Sequence, residues 1–398
     1  MVRALNRLGH WLKTTLLVAA GALLFCACAG TAVQITNTPI PNEAGAGKVA
    51  NYDVVEIDQA THRLYVADRT NQGVDVFDVS APRAKFLTTI GLSGSPNGLA
   101  IAPDLARLFV GAGNGSVFVI DINNDSDSVV AEVKTGKGEV DLLDYAAARQ
   151  RLYAANGADG SITSIDPTTN AVMANFKVGS ALEQPRYNDA DGMVYVTSPA
   201  ADALFKIDPN DGSFKSFPLN GCKPTGLAIN PKTNKAVIVC STYVMTWDMN
   251  TGRSTASFKQ VVGGDVAIYN TKADRFIVAS PHLTRANVVA TFGGDPIAYM
   301  ASVDTGAHGN AVAFDETNGI VYTPNPQKPG LASFKLPVAP LAPPRWLSPV
   351  MTFGPILAVG LLFVLLFIFV GRSADPVRRP QPAPKPASTA PESQPKSA

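Results

Sequence analysis

Short apolar runs alternate with turn residues along most of the chain. The segments RLYVADRTNQGVDVFDV, RLFVGAGNGSVFVIDI and RLYAANGADGSITSIDP begin at Arg63, Arg107 and Arg151, 44 residues apart. Each contains an apolar run, a turn with glycine, a second apolar run and then an aspartate. Apolar runs this short, rich in Val, Ile, Tyr and Phe and bounded by Gly, Asn and Asp, predict β-strands.

The same unit recurs further along the chain. Its anchors follow one another in steps of 40 to 45 residues, at Leu64, Leu108, Leu152, Val194, Ala236, Phe276 and Val321. Such a period is typical of four-stranded propeller blades or of paired helices. No window between Val33 and Pro337 has a long helical stripe, so we predict an all-β domain over residues 30–337. Its expected fold is a seven-bladed β-propeller of four-stranded antiparallel blades.

The turns and the ring closure are also predicted by the pattern. An aspartate follows the third strand in five units, at Asp78, Asp121, Asp166, Asp208 and Asp248. Its side chain can accept a hydrogen bond from the main chain two residues on, which closes the turn. The seventh unit has sequence for only three strands. We predict that the β-prone segment Gly30–Ile40 pairs as its outer strand and closes the ring.

The two ends of the chain differ from this middle. Residues 1–29 have a basic start, an apolar stretch and an A-x-A pattern at Ala27 and Ala29, which predicts a secretory signal peptide. An uncleaved membrane anchor and a lipidated Cys28 are the alternatives. Residues 353–371 are 19 residues without a charge, which predicts a C-terminal transmembrane helix.

Arginines after this span orient the chain in the membrane. Arg372, Arg378 and Arg379 follow it, against Arg345 before it, which predicts a cytoplasmic C-terminus. The expected location is the cytoplasmic membrane, single-pass, with the propeller outside in the periplasm or at the cell surface. Residues 338–352 are expected to form a proline-rich spacer, and residues 372–398 a disordered proline-rich cytoplasmic tail.

The net charge limits the possible partners, and the cysteines bear on the redox compartment of the protein. The 398 residues have a formal net charge of +1, which argues against nucleic acid as a partner. Cys222 and Cys240 are the cysteines of the exported part. Export to an oxidising space is compatible with a disulfide between them, and two buried thiols are an equal alternative.

Tyrosine-led strands identify the family that the repeats resemble. YVAD (Tyr65–Asp68), YAAN (Tyr153–Asn156) and YVTS (Tyr195–Ser198), with the turns IDPTTNAVMANFKVG and IDPNDGSF, resemble the YVTN β-propeller repeats of prokaryotic surface and periplasmic proteins. The resemblance covers Val54 to Pro337, although the tetrapeptide YVTN itself does not occur. It implies a seven-bladed propeller related to lactonase-type propellers. It specifies function poorly, because the family includes binding proteins, scaffolds and a few enzymes.

The start of each innermost strand is the expected lining of the central channel. The channel candidates for ligand binding are Asn97, Asp141, Arg186, Thr225, Asp265, His308 and Asn310, with Glu139 nearby. Such oxygen-rich side chains could hold a hard cation such as Ca²⁺, and lactonase-type propellers do hold a metal there. The alternative is a hydrated polar channel, and we expect no cofactor.

One loop has the spacing of a calcium-binding EF-hand. Its metal candidates are Asp121, Asn123, Asp125, Asp127 and Glu132, but Ser126 stands where the sharp turn needs glycine.

The expected function is therefore binding. No G-x-S-x-G or other nucleophile signature is present, so no catalytic residue is predicted. We expect a membrane-anchored scaffold for a protein, glycan or small ligand of the cell envelope. The alternatives are a metal-dependent lactonase or esterase at the channel and a purely structural envelope component.

Overall fold

The computed structural model describes residues 33–41, 45, 48–123, 127–179, 181–280 and 288–337. Contacts divide the chain into two units, Met1–Val338 and Ala339–Ala398, and all described residues belong to the first. The predicted signal peptide, proline-rich spacer, transmembrane helix and cytoplasmic tail lie outside the described residues. None of the helices that are described is long and apolar enough to cross a membrane.

The described residues fold into seven antiparallel sheets of four strands each, as the repeat predicts for a seven-bladed β-propeller. From the inner to the outer strand, blades 1 to 3 are β2 (Tyr52–Asp58), β3 (Arg63–Asp68), β4 (Gly73–Asp78), β5 (Lys85–Gly91); β6 (Pro96–Ala102), β7 (Arg107–Ala112), β8 (Ser116–Asp121), β9 (Ser128–Lys134); and β10 (Val140–Ala146), β11 (Arg151–Asn156), β12 (Ser161–Ile165), β13 (Val172–Lys177).

Blades 4 to 7 repeat the arrangement. They are β14 (Pro185–Asn188), β15 (Met193–Ser198), β16 (Ala203–Ile207), β17 (Phe214–Pro218); β18 (Leu227–Asn230), β19 (Lys235–Val239), β20 (Val244–Asp248), β21 (Arg253–Phe258); β22 (Ala267–Asn270), β23 (Arg275–Ser280), β24 (Val288–Gly293), β25 (Ala298–Asp304); and β26 (Ala313–Asp315), β27 (Ile320–Asn325), β28 (Gly330–Lys335), β1 (Thr36–Pro39). Every anchor of the sequence repeat is the second residue of the second strand in its blade, and each is at most 1% exposed.

Apolar clusters between neighbouring blades form the core. Val76 of blade 1 packs with Leu108 and Phe118 of blade 2, and Ala313 and Tyr322 of blade 7 pack with the residues of blade 1. The other blade interfaces are filled in the same way. Because each sheet buries both faces against its neighbours, its two middle strands are rich in apolar residues.

The N-terminal segment closes the ring, which confirms the prediction. β1 pairs antiparallel with β28, so that Thr36 lies opposite Ser333 and Pro39 opposite Gly330. A Cβ on Gly330 would lie 2.4 Å from the main-chain oxygen of Thr38, so the close approach of the two strands requires glycine here. The side chain of Thr38 also donates to the carbonyl of Ala84 in blade 1.

Aspartates close the turns after the third strands, again as predicted. Each accepts a hydrogen bond at 2.9 Å from the main-chain N–H two residues on: Asp78 from Ser80, Asp121 from Asn123, Asp166 from Thr168, Asp208 from Asn210 and Asp248 from Asn250. Turns after the innermost strands of blades 2 and 3 are instead short 3-10 helices, Pro103–Leu105 and Ala147–Arg149.

Cys222 and Cys240 form a disulfide in the structure. Cys222 precedes the inner strand of blade 5, and Cys240 follows β19, which pairs with that inner strand. The bond therefore ties the link into blade 5 to the blade itself. Of the two alternatives that the sequence left open, this structure contains the disulfide.

Candidate functional site

A ring of polar residues surrounds the channel where the innermost strands begin. One residue from each blade contributes to this upper ring: Asp53, Asn97, Asp141, Glu183, Thr225, Asp265 and Asn310. All seven hold the same place in their blades, three residues before a common position of the innermost strand. We call the face of the propeller at this end of the channel the upper face.

Hydrogen bonds join the upper ring from blade to blade. Arg69 bridges the first two blades, because it forms an ion pair with Asp53 and donates to the Asn97 side chain at 3.0 Å. The Asn97 amide donates in turn to the carbonyl of Val140 at 2.9 Å. On the other side, the Asn310 amide donates to Asp53 at 3.3 Å. These bonds hold the inner strands of neighbouring blades together.

Carboxyl groups in the upper ring have raised pKa values, chiefly because the channel shields them from solvent. Burial raises the pKa of Asp53 to about 6, although Arg69 acts in the opposite direction. Burial, followed by the charges of Asp53 and Glu183, raises the pKa of Asp265 to about 7. Burial and Glu183 also hold the pKa of Asp141 well above its usual range. Since these groups lie on blades 1, 3, 4 and 6, their mutual influence shows that they converge on the channel.

Two members of the upper ring, Asp53 and Asn97, turn their side-chain oxygens towards protein partners in this arrangement. Ca²⁺ takes about six to eight oxygen ligands that converge on one point. Here the oxygens of Asp53 face Arg69 and Asn310, and the Asn97 oxygen faces Arg69. Within the described residues, no three side chains of the His, Cys, Asp or Glu type are placed to hold a metal. We therefore derive no metal-dependent step at the channel.

A second set of equivalent positions lies three residues further along the innermost strands, towards the opposite, lower face. This lower ring consists of Glu56, Ala100, Asp144, Arg186, Ala228, Ile268 and Ala313. It lines a cavity of about 480 Å³, the channel cavity, to which all seven innermost strands contribute. Arg186 forms an ion pair with Asp144, whose other oxygen accepts the main-chain N–H of Tyr187 at 2.7 Å.

Gln184 lies buried between the two rings. Its side-chain oxygen accepts the main-chain N–H groups of Leu227 at 2.7 Å and Ala267 at 3.2 Å, and its amide donates to the Ala267 carbonyl at 3.1 Å. One side chain of blade 4 thus bonds the inner strands of blades 5 and 6. The inner edges of those strands carry unpaired main-chain groups, which Gln184 satisfies.

The structure distributes the predicted channel residues over three places. Asn97, Asp141, Thr225, Asp265 and Asn310 belong to the upper ring, and Arg186 belongs to the lower ring. His308 is exposed, two residues before Asn310, and Glu139 is exposed beside Val140. The sequence interpretation missed four acidic ring members: Asp53, Glu56, Asp144 and Glu183. Their signal was present, because the same three-residue spacing in every unit would have placed them.

The loop with EF-hand spacing uses its side chains elsewhere. Asp121 closes its turn, Asp127 forms an ion pair with Arg63 of blade 1 at 2.6 Å, and Asp125 lies outside the described residues. Glu132 lies in β9, where it accepts hydrogen bonds from Ser116 and Lys134. The described members of the set therefore point to different partners.

Comparisons with known proteins support the fold class. The chain matches no protein-family model and no curated protein, so the YVTN family stays a resemblance. Similar solved structures include a chain of the "Mitotic Checkpoint Complex" (TM-score 0.60, 16% identity), U3-55K (0.63, 10%) and the RRP9 WD40 repeats (0.62, 11%). Each covers 76% of this chain, and 93%, 98% and 100% of those chains respectively. At such identities the likeness shows the fold alone: a seven-bladed β-propeller.

Proposed function

We propose that this protein is a membrane-anchored extracytoplasmic scaffold whose upper face binds a protein of the cell envelope. The sequences of residues 1–29 and 353–371 support export and anchoring. A rigid propeller whose channel residues bond its own blades supports a presenting role. One of the similar structures is named as part of a multi-protein complex, which is consistent with a protein partner.

The main support for this proposal is the position of the first and last strands of the propeller along the chain, β1 and β28. β1 starts at Thr36 opposite Ser333, near the end of β28, so the chain reaches and leaves the propeller on the same face. The Leu336 N–H donates to the carbonyl of Gly319 in the turn between β26 and β27, which lies on the lower face. Both described ends of the propeller therefore lie at the lower face, which favours the upper face as the one that binds a partner.

Site-specific photo-crosslinking tests which face binds. Two exposed lysines provide matched positions: Lys137, in the link between β9 and β10 on the upper face, and Lys232, in the turn between β18 and β19 on the lower face. Each is replaced by a photoreactive amino acid in the full chain, in its native envelope. We expect a discrete cross-linked protein from position 137 and none from position 232.

Two outcomes of this experiment contradict the proposal. Adducts of equal yield from both positions would indicate contact without a preferred face. Adducts from neither position, nor from a third upper-face position at Asn114, would show that the upper face has no protein partner. Membrane association of the full chain is measured in the same samples, so that failure of export is recognised.

The metal-dependent hydrolase is not advanced as a second function. Its support is the family resemblance alone, and the oxygens of Asp53 and Asn97 in the upper ring face Arg69 and Asn310. The glycan and small-ligand alternatives for the upper face become outcomes of the crosslinking experiment.

A further inference from the structure

The outer strand of every blade has one edge without a neighbouring strand, and a β-bulge interrupts most of these edges. The register between the third and the outer strand shifts at such a bulge in blades 1, 2, 3, 5 and 6. A bulge bends the strand and leaves one residue out of the ladder. It therefore hinders another chain from pairing with the edge.

The outer strand of blade 4 pairs without a bulge. β17 follows β16 in one continuous register, from Phe214 opposite Ile207 to Pro218 opposite Ala203. The four residues of β1 in blade 7 also pair without a shift, but they end at Pro39, which has no N–H to offer. Among the described strands, β17 is therefore the longest outer strand with a regular edge.

Hydrogen bonds at both ends of β17 fix the direction of its main-chain groups. The N–H of Asp208 donates to the carbonyl of Ser213 at 2.8 Å, and the N–H of Leu219 donates to the carbonyl of Asp202 at 2.9 Å. In an antiparallel pair, residues that bond to the neighbouring strand alternate with residues whose groups point away from it. The odd-numbered residues of β17 consequently bond to β16.

The even-numbered residues of β17 offer their main-chain groups to another strand. Phe214 and Ser216 each point an N–H and a carbonyl away from β16, and Pro218 points a carbonyl in the same direction. These groups follow one another at every second residue, which is the spacing that an added strand requires. The edge can therefore extend the sheet of blade 4 by one strand.

Apolar side chains lie on both faces of this edge. Phe214 is the one exposed aromatic residue within the described part of the chain, at 46% exposure, and its ring packs edge-on against Phe205. On the side of blade 5, a groove of about 450 Å³ lies beside β17, and Met193, Phe217 and Met249 contribute to its wall. An added strand can therefore bury apolar side chains on both of its faces.

Lys215 brings a positive charge to this groove. Within the described residues it forms no ion pair, and its ammonium group lies 4.7 Å from the centre of the Phe217 ring. The other lysine of the groove, Lys206, is paired with Asp191 at 2.8 Å. The carboxylate of Asp208 accepts a main-chain N–H of its own turn. An acidic side chain on an added strand therefore complements Lys215.

We propose that an extended segment of a partner protein adds to blade 4 as a further strand, antiparallel to β17. It bonds to the main-chain groups of Phe214 and Ser216. One face of the segment places a carboxylate beside Lys215 and an apolar side chain beside Phe217, and the other face places an apolar side chain beside Phe214. Main-chain hydrogen bonds supply affinity in such a complex, and the side chains supply specificity.

A second copy of the chain fits this edge less well. β17 runs from the lower to the upper face, so antiparallel pairing of two copies would point their upper faces in opposite directions. Under the proposed function both copies are anchored in one membrane, which argues against that arrangement. This comparison rests on the proposed function, whereas the strand site itself does not.

Fluorescence anisotropy with a labelled peptide tests the proposal on the detergent-solubilised full chain. The probe is the hexapeptide Thr-Val-Thr-Glu-Val-Thr-amide, with fluorescein at its N-terminus. In the antiparallel alignment its glutamate lies opposite Lys215, its second valine opposite Phe214 and its first valine opposite Phe217. We expect saturable binding, which weakens at least about tenfold when lysine replaces the glutamate of the probe.

Methylation of the probe distinguishes strand pairing from side-chain contact. The N–H of the second valine faces β17, whereas the N–H of the glutamate faces away from it. N-methylation at this valine should weaken binding at least about tenfold, because a hydrogen bond to the carbonyl of Phe214 is lost. N-methylation at the glutamate should change the affinity by less than about threefold.

Matched variants locate the site on blade 4. Ser216→Pro removes an outward N–H and leaves the bonds to β16 in place, so it should weaken binding at least about tenfold. Ser257 is the equivalent residue of the bulged strand β21, because Ser216 and Ser257 each lie opposite the residue three before the turn aspartate. Ser257→Pro should leave the affinity within about twofold. Thermal melting confirms that both variants fold.

A charge exchange completes the experiment. Lys215→Glu should lose the original probe and bind the probe that carries lysine instead of glutamate. Absence of saturable binding, equal effects of Ser216→Pro and Ser257→Pro, or full binding of the valine-methylated probe would each overturn the proposal. A dimer in light scattering that Ser216→Pro abolishes would place a second copy on this edge and also overturn it. The crosslinking result at the upper face does not depend on any of these outcomes.

Discussion

Two buried aspartates in blade 1 lie so close together that one of them keeps its proton. Asp68 and Asp75 are fully buried. Asp68 accepts the N–H groups of Thr70 and Asn71 and the Asn71 amide, which stabilises its ionised form. Burial and the charge of Asp68 raise the pKa of Asp75 to about 8. Asp75 therefore stays protonated in the folded protein up to mildly alkaline pH.

In blade 3, neutral side chains occupy the positions of these two aspartates. Asn156 ends β11 as Asp68 ends β3, and Thr163 holds the position of Asp75. The Asn156 amide donates to the Thr163 hydroxyl at 2.8 Å, with no proton to be held. The comparison shows that the fold does not require carboxyl groups here, so the blade 1 pair makes stability depend on pH.

Replacing Asp75 by Asn should remove this dependence. In the unfolded chain an aspartate ionises near pH ~4, whereas folded Asp75 ionises near pH 8. The folded state holds the extra proton between these values, so stability falls as pH rises through this window. We expect Asp75→Asn to melt at least about 5 °C above the parent at pH 8, with the difference shrinking at pH 5.

An exposed aspartate provides the control for this experiment. Asp211 lies on the surface, where the N–H of Ser213 lowers the pKa of its carboxyl group. Asp211→Asn should give no gain in melting temperature as pH rises. A melting difference for Asp75→Asn that does not change with pH would contradict the shared-proton account.

At the scale of elements, the outer strand of blade 7 comes from the opposite end of the chain. β1 contributes hydrogen bonds to β28, and Ile40 beyond it packs into the cluster between blades 7 and 1. Ile40 is 4% exposed, whereas Ile35 in the same segment is 38% exposed. The closing segment therefore offers two isoleucines with opposite environments.

Truncating the buried isoleucine should loosen the closure of the ring. Ile40→Ala leaves a cavity in a packed cluster, so we expect the free energy of unfolding to fall by about 2–4 kcal/mol. Ile35→Ala should change it by less than about 0.5 kcal/mol. Urea denaturation of the two variants measures both values. Equal effects would show that the closure does not depend on packing at Ile40.

Buried strands can be predicted from the sequence more easily than exposed strands. The second and third strands of blade 2 coincide with the runs RLFVGA and SVFVID, because strands buried on both faces read as continuous apolar segments. Outer strands such as β9 expose most of their residues, including Val129 and Val130. Such strands lack a clear apolar pattern, and their bounds are correspondingly hard to predict.

At the scale of the whole molecule, membrane anchoring of the propeller can be tested by deleting segments at the C-terminal end of the chain. We propose that residues 353–371 hold the protein in the membrane. Deleting residues 338–398 should release the propeller into the soluble extracytoplasmic fraction, as measured by fractionation and immunoblotting. Deleting only residues 372–398 should leave it with the membrane.

N-terminal sequencing of the truncated protein shows whether residues 1–29 are still present, and so distinguishes attachment by this segment from attachment by residues 353–371. A protein that lacks residues 338–398 and residues 1–29 but still sediments with membranes would contradict anchoring by residues 353–371. A truncated protein that keeps residues 1–29 and sediments would show that the first segment is itself an anchor, against the predicted cleavage.

The sequence by itself determined the number of blades, the buried strands inside them, the aspartate turns and the closing role of the N-terminal segment. All of these depend on local patterns, since repeat period, apolar runs and turn residues are readable along the chain. The repeat spacing is enough to place Asp53, Glu56, Asp144 and Glu183 at the channel, but only the tertiary structure decided their partners. Asp53 meets Arg69 in the upper ring, and Asp144 meets Arg186 in the lower ring. The members of each ring come from different blades, and the charge of the channel results from their burial and distance, which exist only once the ring has closed.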